Sequence, residues 1–316
     1  MDYVPGERLV DCWDDMGVPQ KTRTAKDLAR AMAEMFALTA SHCGVLLRDR
    51  SLTNAQRSLR YKPSAVGAPV GDSPDEAHTE VVDGDFVIGP VNEITFLQLT
   101  KPVPASRCGP FATERAFLAA FGYRNACGGA TARDRLRRWP LDRMFEIYDV
   151  LRPLYAPRGA AAAPFHFAHA DLSVANLMVD PASGAVTGLV DWEMAGFRPA
   201  WLCATSGTWF DDDSCRFLVE GNQDGPDGYG EDTETDTRLR QVFLAELEAH
   251  NPTLLEHNRK GVELRAMFYN LCNEYTSNTM LWIEKHKKYH WDVTGRGQFP
   301  FDMQRWVEDT AYLEQE

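Results

Sequence analysis

The sequence predicts an α+β fold that is mainly helical with a small, acid-bearing β-hairpin embedded in it. Two kinds of pattern predict this. Leu28, Met32, Met35 and Phe36 recur at helical spacing within 24–38, and Leu239, Val242, Phe243 and Leu247 repeat the pattern later. A longer stripe, Leu264, Phe268, Leu271 and Tyr275, runs on into Met280, Leu281 and Ile283. Between these helical stretches, two short apolar runs, 177–179 and 186–190, are joined by the turn residues Asp180 to Gly184, which is a hairpin signal.

The remaining elements follow in order. VVDGDFVIG places Asp83-Gly84 between strand-like residues and predicts a second hairpin inside an otherwise Pro-, Gly- and Asp-rich stretch. Thr113 is placed to cap a short helix through Phe117 to Phe121. Met144, Ile147, Tyr148, Leu151 and Tyr155 mark another helix, which Pro157 stops. PFHFA ahead of the acidic loop reads as a strand, and the acidic, Gly-rich DGPDGYGEDTETD as an exposed loop. The expected organisation is a single domain over 1–316 with loop insertions near 60–107 and 220–236.

Composition narrows the function classes. A formal net charge of −13 argues against a nucleic-acid partner, since phosphate binding requires a basic surface. The one basic run, RDRLRR at 133–138, reads as a solvated helix face. No apolar stretch approaches the ~20 residues a spanning helix needs, and MDYVPGERLVDCWDD is acidic where a signal peptide is basic and then apolar. The expectation is a cytoplasmic protein without a membrane partner. The 7 cysteines are scattered and never spaced CxxC, so they read as free thiols.

Three residues carry the chemistry: Asp171, Asn176 and Asp191, with His169 ahead of the first. A tight loop with this spacing places Asp171 beside an attacking hydroxyl while the Asn176 oxygen turns toward a metal. Asp191 completes the metal site, because the hairpin brings the residue before its first strand and the residue after its second to the same end. Magnesium suits such a site, since it takes hard oxygen ligands, keeps several waters and accepts phosphate oxygens. Asp171 would accept the hydroxyl proton late in the transfer. Glu193 reads as support for the metal site or as a cap. A metal-dependent hydrolase using His169, Asp171 and Asp191 is a competing reading, but the additional His ligands usual in such sites are missing.

FAHADLSVANLMVD together with GLVDWEMAG resembles the catalytic loop and metal-binding segment of the aminoglycoside phosphotransferase and choline kinase superfamily. YVPGERLVDCWDDM and GPFATERAF resemble stretches of its large fungal branch. The resemblance implies the C-terminal lobe of a protein-kinase-like fold, ATP or GTP as donor, magnesium, and a small-molecule hydroxyl as acceptor. It makes Asp171 the base, puts Asn176 and Asp191 on the metal, and gives His169 a supporting role in the loop. Met178 and Val190 resemble positions that pack under adenine, with plain core packing as the competing account. Asp2 and Val4 fall in a segment resembling the hinge that bonds the adenine.

In related enzymes a β-lobe with a Gly-rich loop and a strand lysine precedes that hinge, so the resemblance implies a missing N-terminal β-lobe. Among the eight lysines, Lys101 after FLQLT is the one in strand-like surroundings, and no Gly-rich turn precedes it. Two functions therefore stand: an ATP-dependent phosphotransferase in the full-length form, or a truncated, catalytically impaired remnant that binds a small molecule or partner through the same cleft.

Overall fold

The computed structural model describes residues 4–48, 81–83, 86–92, 108–122, 132–155, 164–205, 234–272 and 277–286. The chain opens with β1 (Glu7–Arg8), α1 (Leu9–Cys12) and the long α2 (Val18–Ala37), followed by β2 (Thr39–Ala40) and β3 (Gly44–Arg48). Next come β4 (Val81–Asp83), β5 (Phe86–Gly89), α3 (Glu114–Gly122) and α4 (Ala132–Tyr155). Four strands then run close together: β6 (Phe165–Ala168), β7 (Leu177–Val179), β8 (Val186–Leu189) and β9 (Gly196–Arg198). Five helices close the described chain: α5 (Ala200–Cys203), α6 (Glu234–His250), α7 (Pro252–Lys260), α8 (Val262–Cys272) and α9 (Ser277–His286).

The expected hairpin is present as β7–β8, but it belongs to a three-stranded antiparallel sheet of order β1-β7-β8. A separate six-stranded sheet, β2-β6-β9-β3-β5-β4, goes beyond the expectation of a mainly helical body with one small hairpin. Its strands are two to five residues long. Runs that short resemble loop apolar residues, and their partners lie far off in sequence. The VVDGDFVIG hairpin appears as β4 paired with β5. Lys101, Asp2 and all of 220–233 lie outside the described residues. Glu234 and Asp236, expected in a loop, instead begin α6, where their charge favours the helix N-terminus.

The chain divides into two compact units, Met1–Phe117 with Ala161–Val262, and Leu118–Ala160 with Glu263–Glu316. In the first, α2 buries Leu28, Met32 and Phe36 against Leu239, Phe243 and Leu247 of α6 and Leu254 and Leu255 of α7. Leu177 and Val179, the inner face of β7, join the same core. The helix α2 starts at Val18 rather than near Thr24, because Pro19 suits a first helical turn and Gly17 precedes it. Its first residues are exposed, which hides that start from apolar periodicity.

His166 of β6 lies against this core, its ring stacked on Phe36 at 3.8 Å and its Nδ1–H donated to the Phe36 carbonyl at 2.7 Å. Burial holds its pKa below the ordinary 6.5, and the carbonyl bond opposes that only in part. The folded state therefore takes up this proton at lower pH than the unfolded chain does. Stability from this group is present above about pH 6.5 and is lost as pH falls through the folded value. Urea midpoints measured from pH 8 down to 5 should decline below 6.5, and the decline should be shallower in His166→Gln.

In the second unit, Phe121 of α3 meets Phe268 of α8 edge-on at 4.9 Å. Gly122 lets Leu141 of α4 and Leu271 approach, since an added Cβ would lie 3.1 and 3.2 Å from them. Buried His286 faces Glu263 at 2.9 Å with Trp282 beside its ring. Of the long stripe read from the sequence, Leu264, Phe268 and Leu271 lie on α8 and Met280, Leu281 and Ile283 on α9, where Leu281 is exposed; Tyr275 lies outside the described residues. Cys12, Cys43, Cys108, Cys203 and Cys272 are in no disulfide, and Cys127 and Cys215 lie outside the described residues.

Candidate active site

Topology brings the site together. β6 pairs with β9 in the large sheet, Ala168 opposite Gly196, while β7 pairs with β8 in the small one, Leu177 opposite Leu189. The chain therefore crosses from one sheet to the other in 169–176 and returns in 190–195. Because both ends of these crossovers are paired antiparallel, the two segments must run side by side.

Hydrogen bonds tie the crossovers together. Val190 N–H donates to the Asn176 carbonyl at 3.0 Å, extending the hairpin ladder to the residue before Asp191. His169, 1% exposed, donates Nε2–H to the Val190 carbonyl at 2.8 Å, which fixes the tautomer because a carbonyl only accepts. Its Nδ1 is buried and has no hydrogen-bond partner. Trp192 closes the corner, donating Nε1–H to the Leu189 carbonyl at 2.7 Å, with its ring 4.7 Å from His169 and stacked on Phe167. The supporting role expected of His169 matches these contacts.

Asn176 Nδ2 donates to the Asp171 carbonyl at 2.8 Å and to Asp171 Oδ2 at 3.3 Å. The amide nitrogen is thus turned to Asp171, which leaves Oδ1 as the side chain's remaining acceptor. Asp171 and Asp191 are exposed. Asp191 sits at φ 66, ψ 57, in the left-handed region that Asp tolerates better than most residues, and opens a 3₁₀ turn over Trp192–Met194. Glu193 is exposed next to it, and its carbonyl accepts from Asn92 Nδ2 at 3.1 Å. The structure thus brings Asp171, Asn176 and Asp191 to one rim.

Val4 and Met178 also converge. Met178 pairs across the hairpin with Gly188, and a Cβ built on Gly188 would lie 2.6 Å from Val4 Cγ1. Val4 therefore lies over the hairpin on the side where Met178 is half-buried. Val190, two residues past Gly188, falls on the same strand face. Thr187 donates its hydroxyl to the Pro5 carbonyl, and Gly6, at φ 107, lies against the Val179 carbonyl. Sequence reading missed Gly188: a strand glycine announces a close approach but not what approaches.

A model of the phosphotransferase enzyme family, APH, matches residues 1–231, well over half of the chain. The chain belongs to this phosphotransferase family. No curated protein and no solved structure matches it. Both crossovers and the segment over the hairpin fall within the span matched by APH. Membership implies a nucleotide and a divalent metal in general, and a small-molecule substrate. The donor set suits such a metal, since the Asn176 amide oxygen and the Asp191 carboxylate are hard oxygens on a solvent-facing rim. Among the described residues no group of three or more His, Cys, Asp or Glu is arranged to hold a metal, and no helix is long and apolar enough to cross a membrane.

Proposed function

We propose that this phosphotransferase moves the terminal phosphoryl group of ATP or GTP to a hydroxyl of a small molecule in the cytoplasm. The observation that carries the reading is the pair of bonded crossovers, which sets Asp171, Asn176 and Asp191 on one rim. Asp171 orients the acceptor hydroxyl and takes its proton as the oxygen–phosphorus bond forms, and the nucleoside diphosphate leaves with the electrons of the bond that breaks. Asn176 supports this geometry by holding the Asp171 loop through its nitrogen while offering its oxygen to Mg²⁺ together with Asp191. Magnesium, when bound, neutralises charge on the phosphates. Val4, Met178 and Val190 form the adenine side, with Asp2 in the same segment. The acidic rim and the loose transition state ask for positioning and charge neutralisation more than for a strong base.

Loss of γ-phosphate from ATP or GTP, followed by phosphorus NMR over a panel of hydroxylated acceptors with and without Mg²⁺, tests this reading. Metal-dependent turnover supports it. Metal-dependent nucleotide binding without turnover would assign the cleft to binding alone, and no binding up to millimolar nucleotide would overturn the proposal. A second expectation concerns the adenine side. Gly188→Val drives a branched side chain into Val4 and should raise the KM for ATP about tenfold or more, with a smaller effect on kcat, because it removes binding shared by ground and transition states.

A further inference from the structure

The far end of the hairpin is held by a helix distant in sequence. β8 is an edge strand of the small sheet, and an edge leaves backbone groups in need of partners. Asp27 of α2 supplies one at the start of β8, and two further side chains of α2 bond the turn ahead of it. Gln20 Nε2–H donates to the Ala182 carbonyl at 3.3 Å, Thr24 Oγ1–H to the Gly184 carbonyl at 2.8 Å, and Asp27 Oδ2 accepts from Val186 N–H at 3.3 Å. Residues 20, 24 and 27 share one helical face, and their partners run from the turn (182 and 184) to the first residue of β8 (186).

Thr24 sits at the centre and is fully buried. A helical threonine ordinarily bonds the carbonyl four residues back, and here the Gln20 carbonyl lies 3.2 Å away. A hydroxyl has one proton, and the Gly184 carbonyl is the nearer acceptor. Gly184, at φ 73, has no room for a side chain: an added Cβ would lie 2.2 Å from the Gln20 carbonyl oxygen and 2.5 Å from Gln20 Cα. The helix backbone thus rests directly on the turn. Asp27 is itself held by Arg23 at 2.9 Å and Arg30 at 3.2 Å, and Arg30 continues to Glu246 of α6 at 2.7 Å.

We infer that Gln20, Thr24 and Asp27 are positioning residues for the metal site. A three-stranded sheet of strands only two to four residues long has little stiffness by itself. Fixed at its turn by α2, it presents Asn176 and Asp191 at its open end at one height and angle. The inference rests on the assignment of those two residues to Mg²⁺.

Thr24→Val keeps the buried shape and removes the donor, and Thr24→Ser restores it. With Mn²⁺ as a paramagnetic probe in the presence of ATP, Thr24→Val should weaken Mn²⁺ binding about tenfold, as loss of an outer support does elsewhere, while Thr24→Ser stays near the parent. Amide exchange should quicken at Val190 in the valine variant and not in the serine variant. Parent-like Mn²⁺ affinity in Thr24→Val overturns the inference alone. If the parent chain binds no Mn²⁺ with ATP, or binds it equally in Asp191→Asn, the metal reading fails and this inference falls with it. Should Thr24→Val not fold, Gln20→Ala on its half-buried position carries the same test, and unchanged Mn²⁺ affinity there also overturns the inference.

Discussion

Replacing Asp191 with Asn should lower metal-dependent phosphoryl transfer on the order of a thousandfold, equivalent to about 4 kcal/mol of transition-state stabilisation, with little change in the urea midpoint. The carboxylate is exposed, so no core contact depends on its charge. Asn is the informative replacement because it keeps the shape and tolerates the left-handed backbone at φ 66, where Ala would add a conformational penalty of about 1 kcal/mol. Excess Mg²⁺ should recover part of the activity, since a ligand has been weakened rather than a proton acceptor removed. Asp171→Asn separates the two roles. It should lower kcat about a hundredfold or more at nearly unchanged Mg²⁺ affinity, because the proton acceptor is altered while the shorter bond from Asn176 to the Asp171 backbone carbonyl is kept. Equal loss of Mg²⁺ affinity in both variants would contradict the division of labour between the crossovers.

The second large effect is on stability. Gly196→Ala should destabilise the chain by about 3 kcal/mol or more, or prevent its accumulation as folded protein. Gly196 opens β9, a central strand of the large sheet, flanked by β6 and β3. An added Cβ would lie 2.2 Å from the Gly44 carbonyl oxygen and 2.7 Å from Val45 Cα, both backbone atoms of a paired strand. Neither moves without breaking the β3–β9 ladder. A urea midpoint within experimental error of the parent would show that β3 and β9 do not pair as described. An exposed substitution such as Leu38→Ala, at a residue 56% exposed, should by contrast change the midpoint little.

These two cases also mark what was legible in the sequence. The hairpin between Asn176 and Asp191 could be read because two apolar runs joined by turn residues are a pattern written in local spacing. Thr113 was equally legible: its Oγ1 accepts from Ala116 N–H at 3.1 Å, a bond that needs only a helix start to predict. The large sheet was not. Its ladder depends on Gly44–Arg48 meeting Gly196–Arg198, and nothing in GVLLR names a partner that far away. Arg198 is another example. It reads as a surface charge, yet it is 1% exposed and donates to the Met194 carbonyl at 3.1 Å. Gln20, Thr24 and Asp27 likewise look like ordinary polar positions of an amphipathic helix, and only tertiary placement shows what they hold.

The nesting of β7–β8 inside the β6–β9 pair has a consequence for the order of events during folding. Both ladders, both crossovers and Asp171, Asn176 and Asp191 lie within 165–198, a run whose internal contacts span little chain. Closing short loops costs little entropy, so these pairings can form early. The β2–β6 and β3–β9 pairings and the hold of α2 on the turn join partners well over a hundred residues apart and must follow more slowly. The crossovers are thus sketched by their own neighbourhood first, and the distant parts of the chain arrive afterwards to make them rigid.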